Sequence, residues 1–194
     1  DCCHGGSLGN LKGIGGRKAL LREGVSILTA SRDTQLSFER SDSDQGVFTS
    51  IIYDALKGGA ADMLGKVNVS GVYNYVDQLL NSWQQRPIFK SHVSKMVALR
   101  KCTPKIKLEK LKKIKDYFPD KDYEFPLDPT FDKEIDASNE INQKIMKDLR
   151  AYYRLELLIP IGEEYIYHAA ENSKPCKLTK KGKYYWQMVK KNKI

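Results

Sequence analysis

No stretch of this 194-residue chain holds 18 consecutive apolar side chains, which excludes a bilayer-spanning helix. No secretory leader pattern is present. There is no CxxC pair for zinc. The four cysteines, Cys2, Cys3, Cys102 and Cys176, have no repeated spacing that would make a disulfide framework. Neighbouring Cys2 and Cys3 are poorly placed to bridge one another. Reduced thiols in a cytoplasmic protein are therefore expected. Repeats and low-complexity tracts are absent. The first residue is Asp rather than Met, so a fragment or processed product is expected.

What the chain does hold is positive charge, +9 at neutral pH. Much of it lies in KIKLEKLKKIK at 105–115 and in KLTKKGK and KKNKI near the C-terminus. Clustered lysine suits nucleic acid or another acidic partner, and it equally suits a solvated surface.

The hydrophobic pattern alternates strands and helices, an α/β arrangement. The glycine-rich segment Asp1–Gly16 reads as a loop, and RKALLRE at 17–23 as a short helical piece stopped by Gly24. VSILTAS at 25–31 reads as a buried strand, followed by a polar loop over 32–45. GVFTSIIYDAL at 46–56 has helical spacing and ends at Gly58–Gly59. A short extended piece at 66–69 leads to a helix capped by Ser70, with 72, 73, 76, 79 and 80 on one face. A final strand is expected within 88–99, after a turn at 85–87.

Residues 104–136 are charged and carry four prolines, which predicts a short basic helix and then an extended linker. Beyond it, 139–153 has the spacing of a helix, with Ile141, Ile145, Leu149 and Tyr152 on one face. Leu157–Ile161 and Tyr165–Ala169 predict a hairpin turning near Gly162. Thr179 is placed to cap a closing helix at 182–190. Three parts follow: 1–103, a linker at 104–136, and a unit at 137–194.

The motif that carries chemistry is DCCHGG at 1–6. A thiol nucleophile needs exposure and nearby backbone N–H groups for an oxyanion, and glycines let the backbone curve around it. Cysteines in a buried turn would give the same composition. The motif resembles the DCCHSG or DSCHSG signature of metacaspases and prokaryotic caspase-like peptidases. VSILTASRDTQLSFE at 25–39, GVFTSIIYDALKGGAAD at 46–62, KVNVSGVYNYV at 66–76 and QRPIF at 85–89 resemble later parts of that domain. The resemblance covers roughly the first 100 residues. It implies the C-terminal part of a caspase-haemoglobinase type three-layer fold. Where the signature has Ser followed by Gly, this chain has Gly5 and Gly6.

The resemblance further implies that Cys3, directly before His4, attacks the scissile carbonyl. It implies that Asp1 selects Arg or Lys before the cut by a charge-assisted hydrogen bond. Asp1 holding its own loop is the alternative. The family's catalytic histidine sits upstream of the cysteine in an HG loop, which this chain does not contain. It is expected from a preceding segment, the chain's first partner, and this segment alone is expected to be inactive. His4 is not its equivalent, and His92 and His168 are expected to serve packing or surface roles. Ser31 and Asp33 in SRDTQ are candidates for the substrate pocket's other wall, unless that loop is merely solvated, and Arg32 would favour acidic substrates instead. The basic stretch with Lys12, Arg17, Lys18 and Arg22 is a candidate for self-cleavage. No cofactor or metal is expected, calcium included.

LTKKGKYYW at 178–186 resembles the ending of many winged-helix domains, so the last unit is expected to be a small α+β winged-helix-like domain. Tyr184, Tyr185 and Trp186 are expected in packing. Partners through this unit are a regulatory protein, self-docking or nucleic acid; none is a membrane. A cysteine endopeptidase is the leading reading. A catalytically inactive caspase-like scaffold and a nucleic-acid-binding module are the alternatives.

Overall fold

The computed structural model describes residues 21–30, 46–80, 86–132 and 139–194. The expected loops at 1–16 and 32–45 and most of the expected 17–23 helix lie outside them. Helices and small antiparallel sheets mix throughout, as expected of the α/β class. None of the described helices is long and apolar enough to cross a membrane. The chain divides into two units, 1–105 and 106–194.

In the first unit, β1 (Val25–Thr29) pairs antiparallel with β3 (Ile88–His92), with Thr29 opposite Ile88 and Val25 opposite His92. Burial along β1 rises from exposed Val25 to buried Thr29, so the strand is covered at its C-terminal end and not along its whole length. α1 (Val47–Asp54) buries Val47 and Phe48. It continues into a wider turn at 55–59, where Gly58 takes a φ of 132° that a side chain would resist. β2 (Lys66–Asn68) leads directly into α2 (Val69–Leu80).

The cap of α2 is Asn68, not the expected Ser70. Asn68 Oδ1 accepts from the Gly71 N–H at 2.8 Å and from the Ser70 hydroxyl at 2.8 Å. Of the residues expected on its inner face, Val72, Val76 and Leu80 are buried and Leu79 is exposed. These three join Ala30, Val47, Phe48, Ala55 and Val67 in one core. The single strand expected within 88–99 is two: β4 (Ala98–Lys101) pairs with β2 instead of extending β3.

In the second unit, α3 (Leu108–Lys112) and α4 (Ile114–Tyr117) occupy the segment expected to be a basic helix and linker. The basic helix is present, but the rest is not an extended connector. Leu111, Ile114 and Phe118 are fully buried, and Leu127 and Phe131 nearly so. The lysines occupy the outward positions between these side chains, and they conceal the spacing of three and four that makes the inward face. Pro119 follows α4, and Pro129 opens a short helical turn capped by Asp128, so neither interrupts an element.

β5 (Glu124–Phe125), β6 (Leu158–Pro160) and β7 (Cys176–Leu178) form an antiparallel sheet in the order β5–β7–β6. α5 (Glu140–Arg154) starts at Asn139, whose side chain accepts from the Asn142 N–H. It buries Met146, Leu149 and Tyr152, while Ile141 points to solvent. The expected hairpin is not formed. β6 pairs with β7, and residues 166–171 form α6 (Ile166–Glu171), with Ile166, Ala169 and Ala170 inward at helical spacing. α7 (Lys180–Lys190) closes the unit, capped by Thr179 as expected.

Candidate functional site

Cys3, Asp1, Ser31 and Asp33, together with His4 and Arg32, lie outside the described residues. So does the candidate self-cleavage stretch except Arg22. What is described is the approach to 31–35. β1 carries the chain inward until Thr29 is 5% and Ala30 0% exposed, so its end is anchored in the core.

The other two cysteines can be judged directly. Cys176 is fully buried on β7, and burial pushes its thiol up to about 12. At neutral pH it is a protonated, enclosed thiol, the opposite of an activated nucleophile. Cys102 is half-buried, and its thiol points to the Leu56 carbonyl oxygen at 3.8 Å. Two histidines are equally assigned. A carbonyl can only accept, so His92 Nδ1–H donates to the Leu21 oxygen at 2.9 Å, which ties the entry of β1 to the end of β3. His168 packs its ring against Tyr165, 5.6 Å between centroids. Among the described residues no group of three or more His, Cys, Asp or Glu could hold a metal ion.

Two clusters in the second unit were not foreseen. The first is built on Asp148, which α5 turns inward. Its carboxylate meets Lys110 at 2.8 Å, Lys113 at 3.1 Å and the Tyr117 hydroxyl at 2.8 Å. Burial opposes its charge, but hydrogen bonds from Lys110, Tyr117 and Lys113 together outweigh that and hold the carboxyl below its usual range. Burial and the same carboxylate drive the Tyr117 hydroxyl the other way, so it stays a donor. The Tyr152 hydroxyl donates to the Lys110 carbonyl, which adds a further tie between α5 and α3. This cluster joins the basic helices to α5 and exposes little of its carboxylate, so its role is structural.

The second cluster is open. A cavity of about 120 Å³ is lined by Arg150, Tyr153 and Arg154 from α5 and by Tyr165, Ile166 and Tyr167 at the start of α6. The Arg150 guanidinium lies over the Tyr167 ring, 5.6 Å from its centroid. The Tyr153 hydroxyl donates to the Glu164 carbonyl oxygen at 3.0 Å, which fixes the two walls together. The Glu164 carboxylate beside the Tyr165 hydroxyl raises its pKa. Ile166 is the buried floor and Tyr165 is 47% exposed. Arg150, Tyr153 and Arg154 stand at i, i+3 and i+4, a signal visible in DLRAYYR. Their partners on α6 were hidden because that segment read as a strand.

No protein-family model, no curated protein and no solved structure matches this chain.

Proposed function

We propose that the chain is the C-terminal part of a cysteine endopeptidase of the caspase or metacaspase type, followed by an accessory winged-helix-like domain. The observation that carries this reading is DCCHGG at residues 1–6. Three features support it. Cys176 is a buried, protonated thiol and Cys102 faces a carbonyl, which leaves the pair in the motif as the chain's candidates for a nucleophile. The apolar strand β1 ends in the core immediately before 31–35, the segment assigned to the substrate pocket. And β1, with Val25, Ile27 and Leu28 among its residues, pairs among the described residues with β3 alone and stays half-covered along its middle. A sheet of that composition suits further strands from a preceding segment, the same segment that would bring the catalytic histidine.

In this reading the histidine takes the Cys3 proton, and the thiolate sulfur bonds to the scissile carbonyl carbon. The tetrahedral intermediate collapses as the C–N bond breaks, and the imidazolium returns its proton to the leaving amine. Water, deprotonated by the same imidazole, then cleaves the thioester and regenerates the thiol. Asp1 pairs with the Arg or Lys side chain that precedes the cut, with Ser31 and Asp33 on the facing wall.

For the second unit, a three-stranded antiparallel sheet combined with α5 and a Thr179-capped α7 supports the winged-helix-like reading. The unit begins at Ile106, not at 137.

The test is covalent labelling of the chain expressed with its upstream coding sequence, using a peptide electrophile with Arg at its reactive end. Wild type and Cys2→Ala are expected to label and Cys3→Ala is not. Equal labelling of Cys3→Ala refutes the nucleophile. An Asp-ended probe outperforming Arg and Lys probes refutes the role of Asp1.

A further inference from the structure

The outward face of α5 carries Lys147, Arg150 and Arg154, all exposed, and none is in an ion pair with a described carboxylate. At about 100° per residue these three positions fall within an arc of roughly 60° on the helix surface. Lys144 extends the row but is partly neutralised by Glu140, 3.7 Å away. The row ends at the tyrosine-walled cavity described above. There Tyr165 is 47% exposed and Tyr153 and Tyr167 are half-buried.

Three cations in line, none paired with a described carboxylate, suit a ligand with regularly placed negative charges. An acidic peptide would satisfy the charges but gives no reason for a cavity walled by tyrosines. Exposed aromatic rings beside guanidinium groups suit a flat, uncharged ring attached to each anionic group. A duplex keeps its bases stacked inside, so its phosphates could use the row while its rings could not use the cavity. The combination therefore favours a strand whose bases are free to turn outward.

We infer that the α5 face with the Tyr165–Tyr167 corner binds single-stranded nucleic acid. The backbone phosphates lie along Lys147, Arg150 and Arg154, and one base packs against Tyr165 at the mouth of the cavity. The cavity, about 120 Å³, accepts part of one base or one phosphate group, so the contact reads no extended sequence. This inference is independent of the peptidase reading, because it uses residues of the second unit alone.

Fluorescence anisotropy on the whole 194-residue chain tests it, with a labelled 12-mer of oligothymidylate over a range of salt concentrations. Oligouridylate of equal length shows whether DNA or RNA is preferred, and binding of either supports the site. R150A/R154A is expected to weaken binding at least tenfold and to lower the slope of log K against log salt by about 1.4, two contacts at about 0.7 each. Tyr165→Ala is expected to cost about tenfold and Tyr165→Phe less than twofold. These side chains are exposed or half-exposed, and unchanged circular dichroism confirms that the variants fold. K174A/K191A, which removes two exposed cations elsewhere on the unit, is expected to leave affinity within twofold. The inference is overturned if the wild type fails to bind at low salt, or if K174A/K191A loses as much as R150A/R154A. It is equally overturned if Tyr165→Ala binds normally, or if a duplex or a 12-residue polyglutamate binds as tightly as the single strand.

Discussion

Replacing Gly182 with alanine tests how α7 is seated. An ideal Cβ at this position would lie 1.8 Å from the Leu157 carbonyl oxygen and 2.8 Å from its carbon. An ordinary carbon–oxygen contact is near 3.4 Å, so the first turn of α7 would have to retreat by about 1.5 Å. Overpacking of this kind costs about 1–3 kcal/mol. The retreat also pulls on the bond from the Thr179 N–H to the Leu157 oxygen at 3.0 Å and on that from the Thr179 hydroxyl to the Glu156 oxygen at 2.7 Å. Weakening those two loses about 2 kcal/mol more, and alanine's better helix propensity returns about 1 kcal/mol. The expected net loss is about 3 kcal/mol, a drop of roughly two orders of magnitude in the folding equilibrium. Urea unfolding followed by Trp186 fluorescence in a Trp83→Phe background reports on this unit, because Trp186 Nε1–H donates to the Phe118 carbonyl at 2.6 Å. With a slope near 1.5 kcal/mol per molar, the midpoint should fall by about 2 M. Gly162→Ala is the matched control. Gly162 has a φ of 77° with open space where the side chain would go, so only the left-handed backbone penalty of about 1 kcal/mol applies. If Gly182→Ala unfolds at the wild-type midpoint, or shifts no more than Gly162→Ala, the close approach of α7 to Leu157 is wrong.

Asp148→Asn is expected to cost the second unit about 2 kcal/mol at pH 7, since it removes the charge that three donors share. Lys110 and Lys113 are 35% and 54% exposed, so water softens the loss and holds it to that size. The native carboxyl titrates below its unfolded value. Its contribution is therefore complete above about pH 4 and disappears as pH falls through the lower native value, so the gap between variant and wild type should close in acid. A gap in urea midpoint that is the same at pH 7 and pH 2.5 would contradict this assignment. Cys176, with its thiol pushed up to about 12, should resist iodoacetamide at pH 7.5 until the unit unfolds, as peptide mapping can establish. Alkylation of the native protein at the rate of a free thiol would show that β7 is not closed over it.

Elements with a cap or a three-to-four apolar spacing were legible in the sequence. α7 shows Thr179 with Gly182 three residues on, and α5 shows the spacing of Leu149 and Tyr152, while its Asn139 cap emerges only in the structure. α1 and α2 were found by spacing, although Asn68, two residues before the expected cap, does the capping. Failures came where an element was too short to show a period. β7 is three residues between Pro175 and Thr179, and without it β6 had no visible partner. Tyr165–Ala169 then reads as a hairpin mate for 157–161, though Ile166, Ala169 and Ala170 have helical spacing. That substitution also hid half of the cavity. On α5 the arginine and tyrosine spacing was readable, but Tyr165 and Tyr167 face it only because α6 is a helix. The DCCHGG motif was legible as a motif, and its surroundings lie outside the described residues.

Charge density along the chain does not show which cations are engaged within the fold. The densest basic run, 105–115, supplies Lys110 and Lys113 to a buried carboxylate, where they are partly neutralised and hold α3 and α4 against α5. Three lysines near the C-terminus are engaged in a similar way. Lys183 pairs with Asp122, Lys181 donates to the Leu155 carbonyl at 2.8 Å, and Lys190 lies over the Trp186 ring. Those side chains join elements of the fold and would have to be released before meeting a partner. The row on α5 is sparser, with three cations in eight residues, yet none of them is paired with a described carboxylate. Alignment on one helix face is what lets these three cations meet a single extended ligand together.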